Sequence, residues 1–108
     1  MISFKNKNIL ITGASGGIGK ELIKKFSDLG GNIIGTGTKA DKLDLLKKNY
    51  PNIKVKKFDI SEHSRIEEFI ENVSLELGGL DIIVNNAGKN VDNLSLRMKD
   101  DEWKKVID

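Results

Sequence analysis

Three times in succession the chain passes from a short apolar run to a helix-spaced apolar stripe and back to an apolar run, and few folds accommodate that order. Residues 8–12 form the first run, after which Ile18, Leu22, Ile23, Phe26 and Leu29 recur on one helix face up to Gly30-Gly31. Ile33-Ile34 open a second strand, and Leu43, Leu45 and Leu46 predict a helix over 40–49 that Pro51 stops. Residues 53–58 make a third strand. Ser61 is placed to cap a third helix, whose stripe is Ile66, Phe69, Ile70, Val73 and Leu77 and whose end is Gly78-Gly79. Residues 80–84 are the fourth strand. Successive strand–helix–strand units require a parallel sheet with right-handed crossovers, which is a doubly wound α/β architecture.

The strands differ in a way that orders them. Ile9-Leu10-Ile11 and Ile82-Ile83-Val84 are continuously apolar, as strands buried on both faces are, whereas Lys54, Lys56 and Lys57 interrupt the third with charge. Lysine marks a sheet edge. The order 3-2-1-4 follows, with the winding reversing between the first and fourth strands, where ligands bind in open α/β sheets. Beyond the fourth strand, Met98, Trp103, Val106 and Ile107 give a helical stripe introduced by Asp100 and Glu102, with no stop signal before Asp108. The expectation is a helix cut by the chain end, a fourth strand with a bare apolar edge, and a single incomplete domain over 1–108, truncated before the remaining strands.

Composition excludes several functions. With 108 residues and 38% hydrophobic content the chain can bury one modest core. Eighteen basic against 16 acidic residues leave a net charge of +2, which argues for neither a nucleic-acid groove nor a membrane surface. The run Ile9-Leu10-Ile11 is too short for a secretory signal, and no stretch is long and apolar enough to span a bilayer. The absence of cysteine removes disulfides and thiolate metal sites and fits a reducing cytoplasm.

Between the first strand and the first helix stands Thr12-Gly13-Ala14-Ser15-Gly16-Gly17-Ile18-Gly19. A pyrophosphate at a helix N-terminus needs unshielded backbone N–H groups, and glycines supply them. Gly13 and Gly17 would allow close approach and positive φ, and Gly19 would let the helix lie tight. An ordinary glycine-rich turn is the alternative, against which the strand before and the helix after argue for a Rossmann-type phosphate cradle. A P-loop does not fit: Ala14 stands where its first glycine is needed, and Glu21 follows Lys20 in place of a magnesium-binding hydroxyl. Gly35-Thr36-Gly37-Thr38-Lys39-Ala40 spells a second G-x-G-x-x-A, but on the second strand, and reads as a permissive turn.

That turn bears on the cofactor. An acid about 20 residues past the glycine run would bind ribose hydroxyls and favour NAD. Gly37 and Thr38 occupy that place, so a 2′-phosphate meets no carboxylate; Thr38 can donate a hydrogen bond and Lys39 a charge, and NADP is favoured over NAD. Asp41 is near, at the start of the second helix. Asn85-Asn86-Ala87-Gly88 ends the fourth strand at the switch point, where asparagines either bond local backbone or meet a ligand. Asp59 ends the third strand, either as a loop cap or as acceptor for an adenine amino group. His63, the single histidine, has no positioned partner and reads as surface.

Taken together, Thr12 to Gly19, Asp59 and Asn85-Asn86-Ala87-Gly88 resemble the short-chain dehydrogenase/reductase family, and residues 92–103 resemble the segment that follows in its bacterial 3-oxoacyl-acyl-carrier-protein reductases. The resemblance implies an NADPH-dependent reductase of fatty-acid elongation, acting on a 3-oxo thioester tethered to acyl carrier protein, commonly as a homotetramer. It assigns Gly13, Ala14, Ser15, Gly16, Gly17, Ile18 and Gly19 to the pyrophosphate and adenosine ribose, and Thr38 to the 2′-phosphate side. It assigns Asp59 and Ile60 to the adenine, and Asn86, Ala87 and Gly88 to the ribose near the nicotinamide.

Two departures stand out. Gly16 replaces an arginine that NADP-using members often carry, leaving Lys39 as the nearest cation. The family's catalytic asparagine, serine, tyrosine and lysine all lie beyond Asp108, and Tyr50 is no substitute, so no catalytic residue is assigned and the 108 residues alone are expected to reduce nothing. Other readings are a binding module that senses the dinucleotide without chemistry, an interaction module that completes its sheet with another chain, and a reductase of another carbonyl substrate.

Overall fold

The computed structural model describes residues 3–59, 62–86, 93–98 and 104–107. The chain runs β1 (Asn8–Ile11), α1 (Gly17–Asp28), β2 (Asn32–Gly37), α2 (Ala40–Asn49), β3 (Lys54–Lys57), α3 (His63–Leu77), β4 (Ile82–Asn85), β5 (Asn93–Met98) and β6 (Lys104–Ile107). The strands form one sheet in the order β3-β2-β1-β4-β5-β6. Its first four strands pair in parallel, with β1 between β2 and β4, so the winding reverses where expected.

The apolar runs bury both faces of the central strands. Ile9 and Ile11 of β1 join Ile82 and Val84 of β4, Ile23 of α1 and Leu46 of α2 in one core cluster. The intervening Leu10 and Ile83 join Ile34 and Val73 of α3 on the opposite face. This is the period of two along each strand, read as continuous hydrophobicity because both faces are covered. On the edge strand β3, by contrast, Val55 packs against the first cluster while Lys56 pairs with Glu76 of α3 at 3.3 Å.

Helix ends follow the glycines. After α1, Gly31 N–H donates to Phe26 C=O at 2.9 Å and Gly30 N–H to Ser27 C=O at 3.0 Å, the paired bonds that close a helix at a glycine. After α3, Gly79 N–H donates to Ser74 C=O at 2.7 Å. Asn8 ties that end to the sheet: its Nδ2 donates to Leu77 C=O at 3.1 Å and to Gly79 C=O at 2.9 Å, and its N–H donates to an Asp81 carboxylate oxygen at 2.9 Å. The N-cap of α3 is Glu62, and no side chain caps it. Ser61, the expected cap, lies outside the described residues.

Beyond β4 the structure corrects the reading. Residues 93–98 and 104–107 are strands, not part of a helix, and β5 runs antiparallel to β4 with Ile82 opposite Met98 and Val84 opposite Leu96. Nor is the β4 edge bare, since β5 covers it and β6 covers β5. The physical reason is the row of unpaired N–H and C=O groups that an apolar central strand presents, for which a neighbouring strand is the available partner. Leu94, Leu96 and Met98 alternate with Asn93, Ser95 and Arg97, a period of two that competes with the helical stripe read from Met98, Trp103, Val106 and Ile107. Trp103 lies outside the described residues. Among the described residues no helix is long and apolar enough to cross a membrane.

Replacing Asn8 by Ala removes the donor shared by Leu77 and Gly79 while leaving β1 intact. A loss of about 1–3 kcal/mol in a urea unfolding titration is expected, the penalty for polar groups left without a partner.

Candidate functional site

The C-terminal ends of β2 and β4 flank the loop between β1 and α1. Gly13 turns the chain there with φ of +61°, a conformation that side chains with a Cβ rarely adopt. Gly19 answers a different need: a Cβ at that position would lie 2.1 Å from the Gly13 carbonyl oxygen and 2.7 Å from Ala14 Cα. The first turn of α1 is thus pressed onto the loop. Gly17 is neither. Its φ is not positive, contrary to the sequence reading, and a Cβ there would have no heavy atom within 4 Å, so its lack of a side chain leaves open space.

The loop is fastened on two sides. Toward β2, Ala14 N–H donates to Thr36 C=O at 2.8 Å, and Ser15 sits so near Gly37 that a Cβ on the latter would lie 3.2 Å from Ser15 Oγ. Toward β4, Thr12 N–H donates to Val84 C=O at 3.0 Å. The buried Thr12 hydroxyl donates to Asn85 Oδ1 at 2.9 Å and accepts the Asn86 backbone N–H at 2.9 Å. Asn86 Nδ2 in turn donates to Gly13 C=O at 3.3 Å. Both asparagines therefore bond the loop itself, the structural role the sequence left open.

At the head of α1 the N-cap is Gly16, no side chain caps the helix, and its first turn carries no acid. Ile18 is more than a third exposed beside it. An uncapped, acid-free helix start with open space over Gly17 suits an anionic group, because its leading N–H groups carry the positive end of the helix dipole.

A second concavity opens at the ends of β2 and β3. Thr38, Lys57, Phe58, Asp59, Glu62 and Arg65 line a cleft of about 330 Å³. Its floor is rigid: Phe58 is buried and stacks on Phe69 of α3 with ring centroids 4.0 Å apart and planes 11° apart. Phe58 N–H donates to Gly37 C=O at 2.9 Å, which locks the end of β3 to the turn after β2. Of the residues expected here, Thr38 and Asp59 come together in this cleft, whereas Lys39, the N-cap of α2, does not line it. Ile60, Ala87 and Gly88 lie outside the described residues. Tyr50 packs against the core at the end of α2, away from both features.

Sequence reasoning passed over Thr12, Lys57 and Phe58, and also Glu62 and Arg65, which line the cleft from the start of α3. Thr12 read only as the start of the glycine run, and Lys57 as one lysine of an exposed strand face. Phe58 read as a strand terminus; an aromatic directly before the strand-end acid was its only signal.

The sequence profile of the short chain dehydrogenases matches residues 7–108, nearly the whole chain. This chain is a member of that family. A 3-oxoacyl-acyl-carrier-protein reductase of Salmonella typhimurium is 39% identical over 99% of the chain, and the Escherichia coli reductase of the same name is 36% identical over 99%. In each case the chain spans 44% of the relative's length. Among solved structures, 2-keto-3-deoxy-D-gluconate dehydrogenase from Streptococcus agalactiae is 34% identical and superposes with a TM-score of 0.70 over 82% of this chain and 35% of its own. Members of the family are oxidoreductases that use a nicotinamide dinucleotide, and the glycine loop, the open helix start and the strand-end cleft of this chain fit such a group.

The Gly13–Gly19 approach leaves no room for a methyl group. Gly19→Ala is expected to destabilise the chain by about 3 kcal/mol through overpacking. It should also abolish dinucleotide binding, both effects readable by thermal unfolding with and without cofactor.

Proposed function

We propose that this chain is the NADP-binding part of an oxidoreductase that transfers hydride from NADPH to a 3-oxoacyl thioester carried on acyl carrier protein. The observation that carries the reading is the loop after β1. It is held between β2 and β4 by main-chain and Thr12 bonds, and it delivers an uncapped helix start to open space. Preorganised N–H groups of this kind suit a pyrophosphate, since their geometry is set before the ligand arrives. Gly13 through Gly19 would face the pyrophosphate and the adenosine ribose, Thr38 and Lys39 the 2′-phosphate side, Asp59 and Ile60 the adenine, and Asn86, Ala87 and Gly88 the ribose next to the nicotinamide.

The 3-oxoacyl substrate and the carrier protein are inferred from the names of the Salmonella and E. coli relatives and belong to the longer proteins that they represent, and a homotetrameric assembly is what the family resemblance implies. A cytoplasmic location goes with that role. When bound, the nicotinamide supplies the hydride. The protein's own part, on the described residues, is to hold and orient the dinucleotide along the ends of the parallel strands.

A second substrate reading has one specific support, the solved Streptococcus agalactiae enzyme, whose name specifies a 2-keto-3-deoxy sugar acid. The two are separated by assaying the full-length protein for NADPH oxidation with an acetoacetyl thioester and for NADP⁺ or NAD⁺ reduction with 2-keto-3-deoxy-D-gluconate. Turnover of the thioester alone is expected; turnover of the sugar acid alone would replace the first reading. For the 108 residues themselves, calorimetric titration should show saturable NADP⁺ binding, tighter than NAD⁺, with neither oxidation of NADPH by the thioester nor reduction of NADP⁺ or NAD⁺ by the sugar acid. Binding of neither dinucleotide would overturn the cofactor reading, and turnover by the isolated chain would overturn the view that it only binds.

A further inference from the structure

Lys57 is the last residue of β3, and its register partner across the sheet is Gly37, directly before Thr38. The bond from Phe58 N–H to Gly37 C=O, at 2.9 Å, fixes these two strand ends against each other. Because strand side chains alternate, Lys57 stands on the opposite face from Lys56, whose ammonium is taken by Glu76 at 3.3 Å. Lys57 is exposed, lines the cleft beside Thr38, and has no ion-pair partner among the described residues. The other cation of the cleft is committed, since Arg65 Nη1 donates to Glu62 Oε2 at 2.9 Å. That pair also joins Glu62, one of the two acids lining the cleft, to a cation. Gly16 brings no charge to the glycine loop, and Lys39 does not line the cleft.

We infer that Lys57 is the residue that discriminates NADP from NAD in this chain, its ammonium meeting the adenosine 2′-phosphate beside the Thr38 hydroxyl. The inference rests on the dinucleotide reading above and adds to it the cation that reads the phosphate. The chemistry is selective because the two cofactors differ only by that phosphate, so a cation placed there acts on one and not on the other. A charge-assisted hydrogen bond to a phosphate, in a cleft open to water, corresponds to about a tenfold preference. Lys57 packs against nothing in the core, so its replacement tests recognition and not folding.

The test is calorimetric titration of the full 108-residue chain with NADP⁺ and with NAD⁺, with circular dichroism of each variant as a check on the fold. Lys57→Met is expected to lower the ratio of NADP⁺ to NAD⁺ affinity about tenfold, Lys57→Arg to keep it, and added salt to erode it in the wild type but not in Lys57→Met. Lys54→Met, on the same strand but outside the cleft, should change nothing. If the wild type prefers NADP⁺ and Lys57→Met retains the preference, or if Arg65→Gln removes it instead, the assignment of Lys57 is wrong while the cofactor reading stands. A wild type that shows no preference, or binds neither cofactor, would take down the cofactor reading and this inference with it.

Discussion

The hydroxyl of Thr12 lies where three parts of the molecule meet, and the site depends on it. As donor it reaches Asn85 Oδ1 and as acceptor it takes the Asn86 N–H, while the Thr12 main chain continues the β1–β4 ladder by one more bond. A buried hydroxyl that both donates and accepts fixes its own rotamer and both partners, so the end of β4 and the start of the glycine loop hold one geometry. Asn86 adds a second connection to Gly13 C=O. Without this set, the hydrogen bonds from the loop to neighbouring strands reduce, among the described residues, to that of Ala14 to β2. The close approach of Gly19 to Gly13 is the complement of the fastening, since it presses the helix onto the part of the loop that Thr12 and Asn86 hold still.

Much of this was legible in the sequence. The strand order followed from contrasts in burial: Ile9-Leu10-Ile11 and Ile82-Ile83-Val84 can be continuously apolar only between two covered faces, and the lysines of β3 belong at an edge. The steric need for Gly19 was equally plain from its place in the first helical turn. The segment after β4 was not legible, because its residues support two periods at once. Met98, Val106 and Ile107 satisfy a helix, while Leu94, Leu96 and Met98 satisfy a strand, and the deciding term is the unpaired edge of β4, which no local pattern displays. Lys57 was missed for a related reason. Its neighbours Lys54 and Lys56 are strand-face lysines, and only the register with Gly37 shows that the third lysine stands at a cleft.

The two outer strands of the parallel half are handled differently. At β3 the charged face is half used: Lys56 pairs with Glu76 of α3, so an edge strand that discourages further pairing also helps to seat a helix. Such an exposed pair contributes little to stability. At β4 no charge blocks the edge, and antiparallel strands cover it. The result is a mixed sheet whose parallel half carries the site.

The division of labour within that parallel half is set by backbone and side chain. The glycine loop presents main-chain N–H groups and no charge of its own, which serves any pyrophosphate and distinguishes none. Side chains that differ in charge lie farther along the strand ends, where the register of β2 with β3 brings Thr38, Lys57 and Asp59 to one cleft over the stacked Phe58 and Phe69 rings. A shared anchor in the loop and a selective group one strand pair away can vary independently. On the proposed reading, a change of charge at the end of β3 bears on which adenosine is accepted and leaves the glycine loop undisturbed.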